Sequence, residues 1–360
     1  MTNILLNLQD EPKYDRIQTA DIRPAMESAI TEARAAIADI KTTDDPTWNN
    51  TIECLTDITE RVGRIWGVIA HLNSVVDTPE LRTVYNELVP EVTVFFTEIG
   101  QDIELYERFK AIKAAPEFAK LSAAQQTKLD QDLRDFVLSG AELVPEQQAE
   151  FAQLQIEGAQ LGAQFSQNVL DDTDAFALYF DNAEPLAGVT DEALAMFADA
   201  AKSAGKTGYK VSLQIPHYLA IMQYANQREL REQLYHAYST RASEFSDAKF
   251  DNTANITRRL EIALAEAQLL GYQNAAELSL VTKMADSPEQ VLTFLRDLAR
   301  RAKPFAEKDL AEVQAFARDN LGIADPQSWD LSYASEKLRQ AKYAFSETEV
   351  KKYFPVSRVL

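Results

Sequence analysis

Apolar residues in this chain recur at spacings of three and four over most of its length. That period constrains the fold most, because only a helix brings such positions onto one face. Met26, Ile30, Ala33, Ile37 and Ile40 form one stripe, and Ile52, Leu55, Ile58, Val62, Ile65, Ile69 and Leu72 form a longer one. Residues 42–50 between them, with Asp44, Asp45 and Pro46, read as a connection. Pro24 is placed in the first turn of the first helix, where a missing N–H costs nothing. Pro79 opens a third helix through Leu81, Tyr85, Leu88, Val92, Phe95, Phe96 and Ile99, and Pro90 inside it is expected to kink it. Further helices are expected over 121–138 and 145–170. Together these segments read as an antiparallel helical array with no repeat period.

The period changes once. Phe176, Leu178 and Phe180 alternate within 175–180, and 209–213 alternates likewise, so both read as strands with a helix over 190–203 between them. That spacing admits either a crossover or a short antiparallel pair. After Pro216 the pattern is helical again to about residue 322. Ser287-Pro-Glu-Gln290 has the spacing of a capping box with proline at the first helical position, and Val291, Phe294, Leu295 and Leu298 read as the buried face of the helix it opens. Ser346-Glu-Thr-Glu349 repeats the capping signal. The fold class is therefore mainly α, a helical array with one small β element. It divides into residues 1–170 (helical), 171–213 (small β/α element) and 214–360 (helical).

Composition narrows the function. With 46% hydrophobic and 26% charged residues in 360, the chain has a globular balance and enough length to bury sizeable cores. A net charge of −20 repels phosphate backbones and anionic lipid, so nucleic acid and membrane are poor partners. The single cysteine, Cys54, excludes an internal disulfide framework and fits a reducing compartment. No signal peptide pattern opens the chain, and no apolar run approaches the ~18 residues of a membrane span. The expectation is a soluble, cytoplasmic protein.

The side chains that could carry chemistry have plain structural readings. His71, His217 and His236 are the only histidines, and no two are four residues apart. His217 and His236 read as packed or surface residues rather than metal ligands. Tyr209, Tyr218, Tyr224, Tyr235 and Tyr238 could line a peptide groove, or sit in the core with their hydroxyls reaching the surface. Arg228, Arg231 and Arg241 could hold a carboxylate; the reading preferred here is ion pairs at helical spacing with Glu229, Glu232 and Glu244. Glu98, Glu104 and Glu107 have nothing that marks an acid or base, and Ser243 and Ser279 lack the context of a nucleophile. Cys54 reads as a small buried hydrophobe. No catalytic residue and no metal ligand is assigned, and the substrate-binding residues are left unknown.

An ordered series then identifies a family resemblance. It runs through Leu213-Gln-Ile-Pro-His-Tyr218, Arg228-Glu-Leu-Arg-Glu232, Tyr235-His-Ala-Tyr-Ser-Thr-Arg-Ala-Ser-Glu244 and Phe250-Asp-Asn252. Leu269-Leu-Gly-Tyr272, Ala276-Glu-Leu-Ser-Leu280, Lys283-Met-Ala285 and Phe294-Leu-Arg-Asp-Leu298 continue it. Asn50-Thr-Ile52 and Leu72-Asn73 lie before these, and Trp329-Asp330 and Tyr353-Phe-Pro355 after them. The chain resembles the thimet oligopeptidase (M3) family of zinc metallopeptidases, in its oligopeptidase A-like branch. One departure is Ile262-Ala263, where the family often carries a Leu-Arg pair. The family's zinc site is a His-Glu-x-x-His helix, with two imidazoles on one face and the glutamate as general base. That motif is absent from these 360 residues.

The resemblance implies the N-terminal, non-catalytic half of a cytosolic zinc oligopeptidase. Its expected role is one wall of a channel that admits short peptides, with zinc and the catalytic groups in a C-terminal half beyond Leu360. By that reading this chain binds no zinc and is inactive alone. The alternative is a non-catalytic helical peptide-binding or scaffold module. Leu260, Leu264, Ala267 and Leu270, with Val291, Leu295 and Leu298, give the segments after Pro216 strong apolar stripes, and the 329–360 tail has few turns in which to bury Trp329, Tyr333, Tyr343, Phe345, Tyr353 and Phe354. Some of that surface is expected to stand exposed.

Overall fold

The structure is a computed structural model that describes residues 3–8, 11–343 and 350–359. It is largely helical, with a single two-stranded sheet among the described residues. Two compact units share the chain: residues 1–164 with 257–282, and residues 165–256 with 283–360. These follow where contacts concentrate, and so are bounded differently from the three segments that mark changes in local pattern.

The first unit is built on α1 (Thr19–Thr42), α2 (Cys54–Val75), α3 (Pro79–Gly100), α4 (Ile103–Ala114) and α5 (Ala123–Leu138). Every member of the first predicted stripe is buried, as are Ile52, Leu55, Val62, Ile65 and Ile69 of the second. The two stripes meet because α1 and α2 pack on each other and on α3. Helix α1 starts a turn earlier than expected: the Gln18 amide donates to the Asp21 carboxylate at 3.0 Å, so Pro24 falls in the second turn and removes a backbone bond there. Thr78 caps α3 with proline at its first position, and the helix continues through Pro90 to Gly100.

Helix α4 falls outside the helices that the apolar stripes predict, although its signals are local. The Asp102 carboxylate accepts from the Glu104 and Leu105 amides at 3.0 Å, and Leu105, Phe109 and Ile112 follow at helical spacing on the buried face. Phe109 meets Phe136 of α5 edge to face, with centroids 5.1 Å apart. At the rim, Arg23 reaches Glu87 at 2.7 Å and Glu91 at 3.0 Å, tying α1 to α3. Such exposed pairs contribute about 0–1 kcal/mol each, so the apolar core carries this unit.

The second unit contains the sheet. Strands β1 (Ala177–Phe180) and β2 (Tyr209–Ser212) are antiparallel, with Leu178 opposite Val211 and Phe180 opposite Tyr209. This settles the choice left open by the sequence: α7 (Asp191–Ser203) is inserted between two antiparallel strands and packs on β2. Phe176, Leu178 and Phe180 all lie against the core of Leu186, Phe197, Val211, Leu213, Ile221, Leu230 and Leu234. Tyr179 points the other way, with the Lys206 ammonium 3.5 Å over its ring. Helices α8 (Ile215–Tyr224) and α9 (Arg228–Ser239) complete this core, and α13 (Ser328–Tyr343) packs on both.

Among the remaining helices are α6 (Pro145–Ala175), α10 (Thr253–Leu269) and α11 (Ala275–Leu280). Within the first unit the Arg258 guanidinium grips Glu157 through two bonds of 2.6 and 2.8 Å, and Ile262 is buried over Gly158. Helix α12 (Pro288–Leu321) is capped by Ser287, the Gln290 amide donating to its hydroxyl at 3.2 Å, but the Gln290 side chain accepts from the Asp286 amide at 2.6 Å instead of closing the expected box on Ser287. Its predicted buried face is not buried. Phe294, Leu295 and Leu298 are exposed, because among the described residues α12 packs chiefly on α13 near its C-terminal end, where Ala317 is buried. The capping signal at 346–349 lies outside the described residues.

Candidate functional site

The structure disperses the three histidines. His71 is exposed beside the Tyr14 ring, and His236 is exposed near Trp329 with ring centroids 5.6 Å apart. His217 is buried edge-on to Phe197, and its Nδ1 accepts from the Ser212 amide at 3.2 Å. That bond leaves the proton on Nε2 and makes His217 a neutral core residue. Burial, with a smaller effect from Lys210, holds its pKa below the usual histidine value. The unfolded chain therefore takes up the proton first. Stability should fall as pH drops through the unfolded value of about 6.5. The expected result is a urea midpoint that declines from pH 7 to pH 5, with a shallower decline in His217→Asn, whose side-chain oxygen still accepts the Ser212 amide.

Among the described residues no group of three or more His, Cys, Asp or Glu side chains could hold a metal ion. The donors present among these residues thus do not fit the zinc that the resemblance implies.

Arg228 and Arg231 correct the sequence reading. Neither pairs at helical spacing with Glu229 or Glu232. Both converge on Asp330, whose carboxylate is fully buried in the first turn of α13. Arg228 Nε donates to its two oxygens at 3.1 and 3.0 Å, and Arg228 Nη2 donates to Oδ2 at 2.7 Å. Arg231, itself buried, donates to Oδ1 at 2.8 Å and to the Ala225 carbonyl at 2.7 Å, with Tyr333 stacked 4.1 Å from its guanidinium. The Gln327 amide supplies a further donor at 3.0 Å. Burial pushes the Asp330 carboxyl up, but Arg228, the Gln327 amide and Arg231 outweigh it and hold the group below the usual carboxylate range. With its oxygens taken by these donors, the cluster is a clasp between α9 and α13 and not an open carboxylate receptor.

Arg241 also has a local task. It lies 3.7 Å over the Tyr238 ring and donates to the Tyr238 carbonyl and to Thr173 Oγ1, while Tyr238 stacks on Tyr218 at 4.0 Å. Tyr209, Tyr218 and Tyr238 pack on the second core, and Tyr235 lies against Trp329. Tyr224 is half-buried at the end of α8. Glu98 meets Arg34, Glu104 meets Lys41 and Glu107 meets Lys110, all ion pairs at the surface. Ser243 closes a turn with its hydroxyl on the Thr240 carbonyl, and Ser279 is exposed on α11. Cys54 is a second correction. It is exposed at the start of α2, its thiol on the Asn49 carbonyl at 3.2 Å, because it lies off the apolar stripe, which passes from Ile52 to Leu55.

Asp330 is the residue that sequence reasoning missed. A carboxylate flanked by Trp329 and Leu331 stands one helical turn before the fully buried Ala334 and on the same face. A buried charge there demands partners.

Comparison with known proteins covers the whole chain. The profile of Peptidase family M3 matches residues 221–360, and that of the neurolysin/thimet oligopeptidase N-terminal domain matches residues 26–148. Oligopeptidase A of Haemophilus influenzae is 40% identical over 362 residues, covering 100% of this chain and 53% of the relative. Oligopeptidase A of Escherichia coli is 38% identical, with 100% and 53% covered, and a probable cytosolic oligopeptidase A of Arabidopsis thaliana is 36% identical, with 100% and 52%. The chain spans about half the length of the curated relatives it matches. It belongs to peptidase family M3, in the oligopeptidase A-like branch, and carries that family's N-terminal domain.

Proposed function

We propose that the chain is the N-terminal, non-catalytic part of a cytosolic zinc oligopeptidase that hydrolyses short peptides. The observation that carries this reading is identity of 40% to an oligopeptidase A over the full chain, covering only 53% of that relative. The described residues gather no metal-binding group, which is consistent with the zinc and the catalytic groups being supplied by the region this chain does not span. This part then contributes one wall of the channel that excludes folded proteins. No described helix is long and apolar enough to cross a membrane, which is compatible with a cytosolic enzyme.

The test is hydrolysis of internally quenched peptides of graded length. It compares the chain alone with the same chain continued by the C-terminal region of the Haemophilus influenzae relative. The chain alone is expected to give no turnover. The continued protein is expected to cleave short peptides and to lose activity to a chelator. Turnover by the chain alone, or a folded continued protein that takes up zinc and cleaves nothing, would overturn the reading.

A further inference from the structure

Helix α12 has 34 residues and therefore extends roughly 50 Å. Val291, Phe294, Leu295, Leu298, Ala302 and Phe305 fall on one face of it at spacings of three and four, and after a break at Asp309 the same face resumes with Val313 and Phe316. The two ends of this stripe differ. From Val313 to Phe316 it is half-buried, with Ala317 buried beside it, where α12 meets α13. From Phe294 to Phe305 it is open: Phe294 is 67% exposed, Leu295 50%, Leu298 52% and Phe305 72%. The opposite face carries Arg296, Arg300, Lys303 and Glu307 and is the solvated side.

We propose that the open face of α12 between Val291 and Phe305 is where the remaining half of the peptidase docks. This rests on the functional reading above and adds the surface. Two observations select this occupant. The oligopeptidases A that match the full chain are about twice its length, so in them a further half of the polypeptide is available to cover such a face. The stripe is also small. Its open side chains expose on the order of 400 Å², within the range of the largest apolar patch on a monomer. Two copies meeting through it would bury about 800 Å² in total, short of the roughly 1,200 Å² of a stable interface. A region joined to the same polypeptide needs no such minimum, because its effective concentration is already high.

The test uses thiol accessibility. In a Cys54→Ser background, Leu298→Cys should label rapidly in the chain alone and at least 100-fold more slowly in the chain continued by the Haemophilus influenzae region. Leu298→Glu and Phe305→Glu should leave the unfolding midpoint of the chain alone unchanged and reduce its binding of a hydrophobic dye. Slow labelling in the chain alone, or a midpoint lowered by either glutamate, would mean that the face is already covered and would overturn the proposal. So would labelling that slows only as the concentration of the chain alone rises, which identifies a second copy as the occupant. Fast labelling in an active continued protein removes the docking proposal and leaves the function standing. Slow labelling in an inactive one does the reverse.

Discussion

Asp330→Ala is expected to destabilise the unit of residues 165–256 and 283–360 by about 3–5 kcal/mol, the range for removing one partner of a buried ion pair. The loss of attraction is the smaller part of this. Arg231 is 1% exposed, and without Asp330 its guanidinium charge stays buried with the Ala225 and Asn226 carbonyls and the Tyr333 ring, but no anion, to hold it. Arg228 is partly exposed and can turn toward water, so Arg228→Ala should cost much less. Replacing both buried partners, Arg231→Met with Asp330→Leu, should recover most of the loss, because no charge is then stranded. The readout is urea unfolding followed through Trp329 in a Trp48→Phe, Trp66→Phe background, since Trp329 is the one tryptophan in that unit.

The pH dependence of the same clasp has a definite sign. The folded Asp330 carboxyl sits below its unfolded value, so its contribution is complete above about pH 4 and is lost as pH falls through the lower folded value. Asp330→Ala should therefore narrow its deficit against the parent only in strongly acidic solution. A deficit that closed already between pH 6 and pH 7 would assign the effect to another group.

What could be read from the sequence was what is local. The stripes of α1 and α2 predicted burial residue by residue, since helical period alone decides which side chains share a face. Helix α4 is equally legible in Asp102 followed by Leu105, Phe109 and Ile112. The pairing of Arg228 with Asp330 was not legible. Their separation of 102 residues is closed only when α13 lands on α8 and α9, while Glu229 and Glu232 offer a nearer and wrong explanation. The face of α12 failed for a related reason. Periodicity shows that a helix has an apolar side, but not whether these 360 residues include what covers it.

Gly188→Ala is the second substitution expected to act strongly, at about 2–5 kcal/mol from backbone strain together with overpacking. Gly188 has φ +94°, and a Cβ there would stand 2.5 Å from the Tyr224 carbonyl oxygen and 2.5 Å from Asn226 Oδ1. Neither can withdraw cheaply. The first is backbone at the end of α8. Asn226 donates its amide to the Ala187 carbonyl at 2.8 Å, accepts the Tyr333 hydroxyl at 3.0 Å and gives its own carbonyl to Arg231 at 3.3 Å. Displacing Asn226 therefore disturbs the clasp from the side opposite Asp330. The two substitutions should not add: a double-mutant cycle of Gly188→Ala with Asp330→Ala should return a coupling of about 0.5–3 kcal/mol, as for residues sharing a network. Gly205 supplies the control. Its φ of +69° imposes similar backbone strain, but nothing lies within 4 Å of the added carbon, so Gly205→Ala should cost only about 1–2 kcal/mol and couple to neither. If Gly188→Ala costs no more than Gly205→Ala, the close approach of Gly188 to the 224–226 turn does not carry the energy assigned to it, and Asn226 is not a member of the clasp.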